Sequence, residues 1–476
     1  MIQQRELFLP MHEIGYRKSS VDQVPIGVDQ TSRFQHTYVI GQTGTGKSTF
    51  ATQSFLRDVY AGHGACYFDF HGQDARWLLD HIPPQRIKDV IYIDPTNTVS
   101  AIGYNVLDGV RARDFATFTD EIVSSLRHIH RNSWGARMDD ILTNAIRPLF
   151  DLPPESKGTI LGAVRMLNDP FYRQWVVKQC PEKTVRDFWQ VEFAGWSKSE
   201  QGGNLNSSLN KIRRFQSSPI LQRILGQQKS RVQFNRAIEE GQILIFDFNK
   251  WKMGAVNANT LASLVLSRLI YEGTRRTIPY QNGEPATNLI KPFHAYIDEF
   301  HSVTSLSMVE ALSGIRKFRF GFTLCHQYTN QLSSDILDAI KGNVGTKIAF
   351  RIGGDDAEEL RTSLDVTEAK HLTELADYEF YVSMKSGQSV ITERGYTLPS
   401  NIEQFRHSSA ILSLMANKYA RPVSEVDEVY DRWQNSRHYG GEVKRPTAKK
   451  KNTTDKAGEP RISSGRFKTI GQIMLN

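Results

Sequence analysis

One octapeptide, Gly41-Gln42-Thr43-Gly44-Thr45-Gly46-Lys47-Ser48, constrains this chain of 476 residues more than any other stretch. It fits the pattern GxxxxGK[ST], and its flanks decide whether the match carries structure. Residues 36–40 (HTYVI) form a short β-branched apolar run that ends at a glycine, so they read as a buried strand. Residues 49–60 (TFATQSFLRDVY) space their apolar side chains as a helix does. Strand, glycine-rich turn and helix in that order make a phosphate cradle. The glycines let backbone N–H groups turn inward, and the helix N-terminus adds partial positive charge. Gly41, Thr43, Gly44, Thr45, Gly46, Lys47, Ser48 and Thr49 form the expected nucleotide-binding set. Lys47 would reach the β- and γ-phosphates, and the Ser48 hydroxyl would ligate Mg²⁺.

Further strands follow at residues 65–70 (ACYFDF) and 90–93 (VIYI). After Leu107 the pattern changes to long helical runs, among them residues 114–129 and 138–149, and no strand is evident before about residue 233. Residues 197–206 (SKSEQGGNLN) read as a polar surface loop. Strand patterns resume at residues 242–248, 293–297, 321–325, 346–352 and 379–384. The expectation is an α/β fold with a mostly parallel central sheet of the RecA-like P-loop type, interrupted by an all-helical insertion. The boundaries are an N-terminal arm at 1–30, a first ATPase segment at 31–106 and the helical insertion at 107–235. A second ATPase segment covers 236–400, a helical extension 401–440 and a basic tail 441–476.

A P-loop needs an acidic partner at the end of another strand. Residues 293–297 (FHAYI) run straight into Asp298-Glu299. Asp298 is expected to bind Mg²⁺ and Glu299 to polarise the attacking water, which favours hydrolysis over transfer to a small acceptor. The next strand ends in Cys325-His326-Gln327. Gln327 is the better candidate for sensing the γ-phosphate or orienting water, and His326 reads equally as structural. Before that strand, Arg316, Lys317 and Arg319 place three cations in one turn, and one of them is a candidate arginine finger on a neighbouring subunit's nucleotide.

Charge divides the chain unevenly. Lys and Arg exceed Asp and Glu by +8 overall, and residues 441–476 hold nine bases against three acids, leaving the body near +2. The tail reads as disordered, and its charge suits nucleic acid or an acidic partner as well as plain solubility. Three cysteines, Cys66, Cys180 and Cys325, lie far apart without CxxC spacing, so neither a disulfide framework nor a cysteine zinc site is expected. The best apolar run, residues 261–270, is broken by Ser263, Ser267 and Arg268 and falls short of a membrane span. The N-terminus lacks a signal-peptide block. These features together read as a cytoplasmic enzyme.

The order HTYVIGQTGTGKST, YFDFHG, HAYIDEFH, SGIRKFRFGFTLCHQYTNQL and GNVGTKIAFRI resembles the HerA/FtsK superfamily of DNA-pumping ATPases. Within it, the chain is most similar to conjugative coupling proteins of the TraG/TraD type, the DNA-transfer ATPases of type IV secretion. The resemblance covers residues 24–399. It implies ATP and Mg²⁺ as cofactors, a homo-hexameric ring with nucleotide between subunits, and DNA in the central channel. It also implies a relaxase or other transfer proteins as partners, and recruitment to the inner membrane through them. By position, Lys47 and Ser48 are Walker A, Asp298 and Glu299 Walker B, and Gln327 the following polar motif. Arg316 would be the trans-acting finger, with Arg351 as second candidate. The 40 residues before Gly41 are too few for the membrane helices or the small β-barrel that usually open such chains. A coupling ATPase, a viral packaging motor, a nuclease-associated translocase and an ATP-gated docking protein for a secretion channel all stay open at this point.

Overall fold

Short apolar strands that alternate with helices can bury both faces only inside one shared sheet. That is how this chain folds in the computed structural model, which describes residues 11–18, 22–281, 283–386, 389–398 and 402–436. Eleven strands join in one sheet: β1 (Met11–Lys18), β2 (Gln23–Asp29), β3 (Thr37–Ile40), β4 (Gly64–Asp69), β5 (Val90–Ile93), β6 (Ile243–Asp247), β7 (Phe293–Ile297), β8 (Phe320–His326), β9 (Thr346–Ala349), β10 (Glu379–Ser386) and β11 (Ser389–Tyr396). Their spatial order is β2-β1-β11-β10-β9-β3-β8-β7-β4-β6-β5. From β9 to β5 all neighbours run parallel. From β9 to β2 all run antiparallel. Strands β4, β6, β7 and β8 are buried along their whole length, which fits their near-continuous apolar character. Because the strands around β3 are parallel, their C-terminal ends share one edge of the sheet, where α/β folds gather ligands.

Two sequence expectations need correcting, and one strand went unread. Residues 11–29 are no arm, since β1 and β2 form a hairpin whose first strand pairs with β11 through Tyr16 and Tyr396. The alternation of β1 is blurred by a bulge between Glu13 and Gly15 and by charged outward residues, so its periodicity is weak. β11 escaped because both its faces mix polar and apolar residues and only Gly395 is buried. Residues 197–206 are no loop but the cap and first turns of the helix Lys198–Ile212. Ser197 accepts from the Glu200 N–H at 3.3 Å, and the Glu200 carboxylate accepts from the Ser197 N–H at 2.9 Å. That S-x-x-E capping box is a helix start, and it outweighs the two glycines that follow.

A run of helices between residues 115 and 240 lies between β5 and β6. Two of them, Phe115–Ile129 and Phe234–Glu240, pack on the long helix Ala255–Gly273, which contains the apolar run 261–270. Two of its three polar interruptions are partnered: Ser267 meets Ser125 at 2.9 Å and Glu121 at 2.7 Å, and Arg268 pairs with Glu272 at 2.6 Å, while the buried Ser263 hydroxyl has no hydrogen-bond partner among the described residues. This is a buried core helix. Among the described residues no helix is long and apolar enough to cross a membrane. Residues 402–436 bring the helices Ser408–Lys418 and Val423–Asn435, with Ala420–Pro422 paired to Ser100–Ile102. The three cysteines are buried and unbridged. The basic tail, as read from sequence, lies outside the described residues.

At the N-terminal edge of the parallel strands a buried ion pair pins the far end of the P-loop helix, Lys47–Tyr60. Asp58 receives both Arg33 guanidinium nitrogens, one at 2.8 Å, and the Tyr296 hydroxyl at 2.5 Å. His63 stands 3.2 Å away, His12 3.7 Å and His294 3.9 Å. Asp58, His63 and His294 approach one another as metal ligands would, yet Arg33 and Tyr296 already occupy both Asp58 oxygens.

Candidate functional site

The P-loop turns as its glycines dictate. Gly44 and Gly46 take left-handed backbone angles (φ 81° and 115°), which side-chain-bearing residues rarely adopt. Gly41 has no room for a side chain, because a Cβ there would lie 2.6 Å from Cβ of Phe350. The Thr45 hydroxyl donates to the Gln42 carbonyl at 2.7 Å and closes the loop on itself. The Lys47 ammonium donates to the same carbonyl at 3.0 Å. Burial lowers the Lys47 pKa, opposed by the nearby charges of Asp298 and Glu299. A buried ammonium whose hydrogen-bond partner among the described residues is a neutral carbonyl has strong reason to pair with an incoming anion.

Asp298 and Glu299 leave the end of β7 beside this loop, 4% and 7% exposed. Their environments separate them. Burial first, then Glu299 and Asp74, push the Asp298 carboxyl up to about 7. Burial would raise Glu299 too, but contacts from His71 and Gln327 and the charges of His301 and Lys250 overcome it and bring Glu299 down to about 2. Gln327 donates to the Glu299 carboxylate at 2.8 Å, and its own amide oxygen accepts from the Thr43 hydroxyl at 3.1 Å. One side chain therefore joins the phosphate loop to the acid. His71 lies 3.7 Å and His301 3.4 Å from the Glu299 oxygens, ion-pair distances rather than hydrogen bonds. Glu299 itself sits in the left-handed region (φ 51°, ψ 45°), which a residue of this type seldom occupies and which marks functional positions.

Most of the expected site residues meet here: the P-loop set 41–49, Asp298, Glu299 and Gln327. His326 does not take part. Its ring bonds the Tyr38 hydroxyl at 2.6 Å inside the core, and burial lowers its pKa to about 3, so it is structural. Arg351 stands beside its own P-loop. Its carbonyl accepts from the Gln42 N–H at 2.9 Å, while its guanidinium holds Asp377 at 2.7 Å and the Leu375 carbonyl at 3.0 Å. Arg316 is exposed in the turn Ile315–Phe318, at the opposite end of β8 from Gln327, about 20 Å away along the strand. The structure does not bring Arg316 to this chain's own site.

Sequence reasoning missed three members. His71 follows β4, where the buried Asp69 carboxylate accepts the His71 and Gly72 N–H groups at 2.8 Å each and fixes the turn. His301 follows the acid pair by two residues. Lys250 follows β6 and donates to the Ser302 hydroxyl at 2.8 Å, just past Glu299. A titratable residue just past the end of each neighbouring parallel strand was the available signal.

The donor set suits Mg²⁺, which prefers hard oxygen ligands. Asp298 is a buried carboxyl with a raised pKa. It accepts one backbone N–H, that of Glu299, at 3.1 Å, and among the described residues no cationic side chain hydrogen-bonds to it. Bound there with Ser48, the ion would supply charge neutralisation for the β- and γ-phosphate oxygens.

No protein-family model matches the chain, and no curated protein matches it in sequence. Solved structures do match in shape. The bacterial conjugative coupling protein TrwB, in an unbound form, superposes with a TM-score of 0.61 at 15% identity, over 80% of this chain and 88% of that one. TrwB in complex with ADP and Mg²⁺ gives 0.60 at 13% identity, over 80% and 90%. VirB4 of Thermoanaerobacter pseudethanolicus gives 0.54 at 15% identity, over 82% and 97%. The RecA-like P-loop fold implied by the sequence resemblance is thus the fold of this chain.

Proposed function

We propose that the chain is a Mg²⁺-dependent ATPase that assembles as a ring and translocates DNA, as a motor of conjugative, type IV secretion-like transfer. The observation that carries the hydrolytic part is the link from Thr43 through Gln327 to Glu299, which ties phosphate binding to an ionised acid. In this reading Lys47 and the loop amides hold the phosphates, and Ser48 and Asp298 hold Mg²⁺. Glu299 orients the attacking water and takes its proton. A carboxylate near 2 is a weak base on its own, and an anionic γ-phosphate beside it raises its proton affinity. The DNA part is supported by the fold shared with TrwB, a conjugative coupling protein by name, and by the basic segment 441–476.

Ring assembly is supported by where Arg316 stands. Exposed at the far edge, it lies away from its own subunit's nucleotide site and is open to a neighbouring one, and a guanidinium stays protonated where charge builds on γ-phosphate oxygens. The deciding experiment measures ATP turnover with no DNA, single-stranded DNA and duplex DNA. Stimulation by either form supports the motor. Unchanged turnover together with protein-cargo binding would replace it by an ATP-gated docking role. Mixing Arg316→Ala with Lys47→Ala protein, each inactive alone, tests the ring: partial recovery of turnover is expected, and none despite co-assembly would remove Arg316 from a trans role.

A further inference from the structure

The site as described recognises phosphates and leaves the nucleoside end unassigned. Its polarity can be read from the flanks of β3. On the β8 side stand Gln327 and Glu299, the groups that face a γ-phosphate. A nucleotide is an extended molecule, so its ribose and base leave on the opposite side, where β9 and β10 flank the loop. There the chain makes a second left-handed turn at a side-chain-bearing residue, Tyr378 (φ 65°).

Tyr378 is fastened to the phosphate loop itself. Its N–H donates to the Thr45 carbonyl at 2.8 Å, and its carbonyl accepts from the Thr397 N–H at 2.9 Å. Its ring lies on Gly46, where a Cβ would come within 3.0 Å of Cδ1. The neighbouring Asp377 is locked by Arg351, whose own carbonyl holds Gln42. The backbone around the ring is therefore fixed by both the P-loop and the residue that follows β11, while half of the residue remains exposed (50%). A ring held in place beside the phosphate loop with one part open to solvent offers a flat face on which a base can stack.

We propose that Tyr378 is the stacking platform for the base of the bound nucleotide, which it holds by its face rather than its edge. The inference rests on the reading of residues 41–48 as the triphosphate cradle. It assigns Arg351 a positioning role, through Asp377 and the Gln42 amide, and leaves its guanidinium in its own subunit's site.

The test titrates full-length protein with Mg²⁺ and ATP, GTP or inorganic tripolyphosphate. The variants are Tyr378→Asn, which tolerates the left-handed backbone, and Tyr378→Phe, which keeps the ring. Aromatic stacking on a base is lost as about tenfold to a hundredfold in affinity. Tyr378→Asn should weaken ATP and GTP by the same factor in that range, leave tripolyphosphate unchanged, and be restored by Tyr378→Phe. Unchanged ATP affinity in Tyr378→Asn overturns the proposal. Equal weakening of tripolyphosphate overturns it as well, because the ring would then only shape the loop. Failure of the cradle reading is seen separately: wild-type protein would bind neither ATP nor tripolyphosphate, and the stacking proposal would fall with it.

Discussion

Asp58 and Asp298 are both buried carboxyls, yet they sit at opposite edges of the same sheet and are treated in opposite ways. Asp58 is wholly enclosed and saturated by a guanidinium and a phenol, and despite the burial Arg33 holds its pKa well below the usual carboxylate range. Asp298 is almost as enclosed, has no such partner, and is pushed up to about 7. The first arrangement joins β1, the segment before β3, the P-loop helix and β7 into one rigid block. The second stores an unpaid electrostatic demand that a metal ion can meet. The Asp58 carboxylate is thus filled by partners where the fold needs rigidity, and the Asp298 carboxylate is left open where a ligand can meet it.

The sharpest way to exploit this contrast is at Glu299, the ionised neighbour of Asp298. Glu299→Gln keeps the shape and removes the base, so ATP turnover should fall by about 10²–10⁴ while ATP binding persists. Single-turnover hydrolysis on purified protein checks it, and wild-type turnover would remove Glu299 from its role. At the other edge Asp58→Ala leaves Arg33 buried without its counter-charge. That should cost about 3–5 kcal/mol, read as a lower denaturant midpoint, with no specific loss of nucleotide affinity in whatever remains folded.

The smallest effect has a distinctive pH signature. The Asp298 pKa is raised on folding, so its ionised form opposes folding, most strongly above about pH 7 and less as pH falls toward the unfolded value. In magnesium-free buffer Asp298→Asn should therefore raise Tm by a few degrees at pH 8, with the gain shrinking toward pH 5. The Asp58 cluster runs the other way. Buried His12 and His294 have pKa values well below 6.5, so they lower stability as pH drops beneath that value. A Tm gain for Asp298→Asn that did not depend on pH would break the contrast.

Much of the active edge was legible in the sequence because each part carries a local rule. A P-loop is contiguous, and the acid pair and Gln327 each end an apolar run. The Arg33–Asp58 cluster was not legible, because its members come from residues 12, 33, 58, 63, 294 and 296, which only the sheet order brings together. The same reason hid His71 and Lys250, which matter through strands adjacent in space and distant in sequence. The helix Lys198–Ile212 was hidden differently: its cap was written in Ser197 and Glu200, but Gly202 and Gly203 argued against it, and the capping bonds prevailed.

The left-handed backbone at Glu299 carries one more consequence. Asparagine is at home in that conformation, and most other side chains cost about 1–2 kcal/mol there. Glutamate at 299 is thus kept against the local preference of the chain. In a lineage that still needed the shape but no longer the chemistry, that position would be free to drift toward asparagine or glycine and gain stability in doing so. The residue found there across descendants of this protein would tell working hydrolases from retired ones, even where the whole phosphate loop had been preserved.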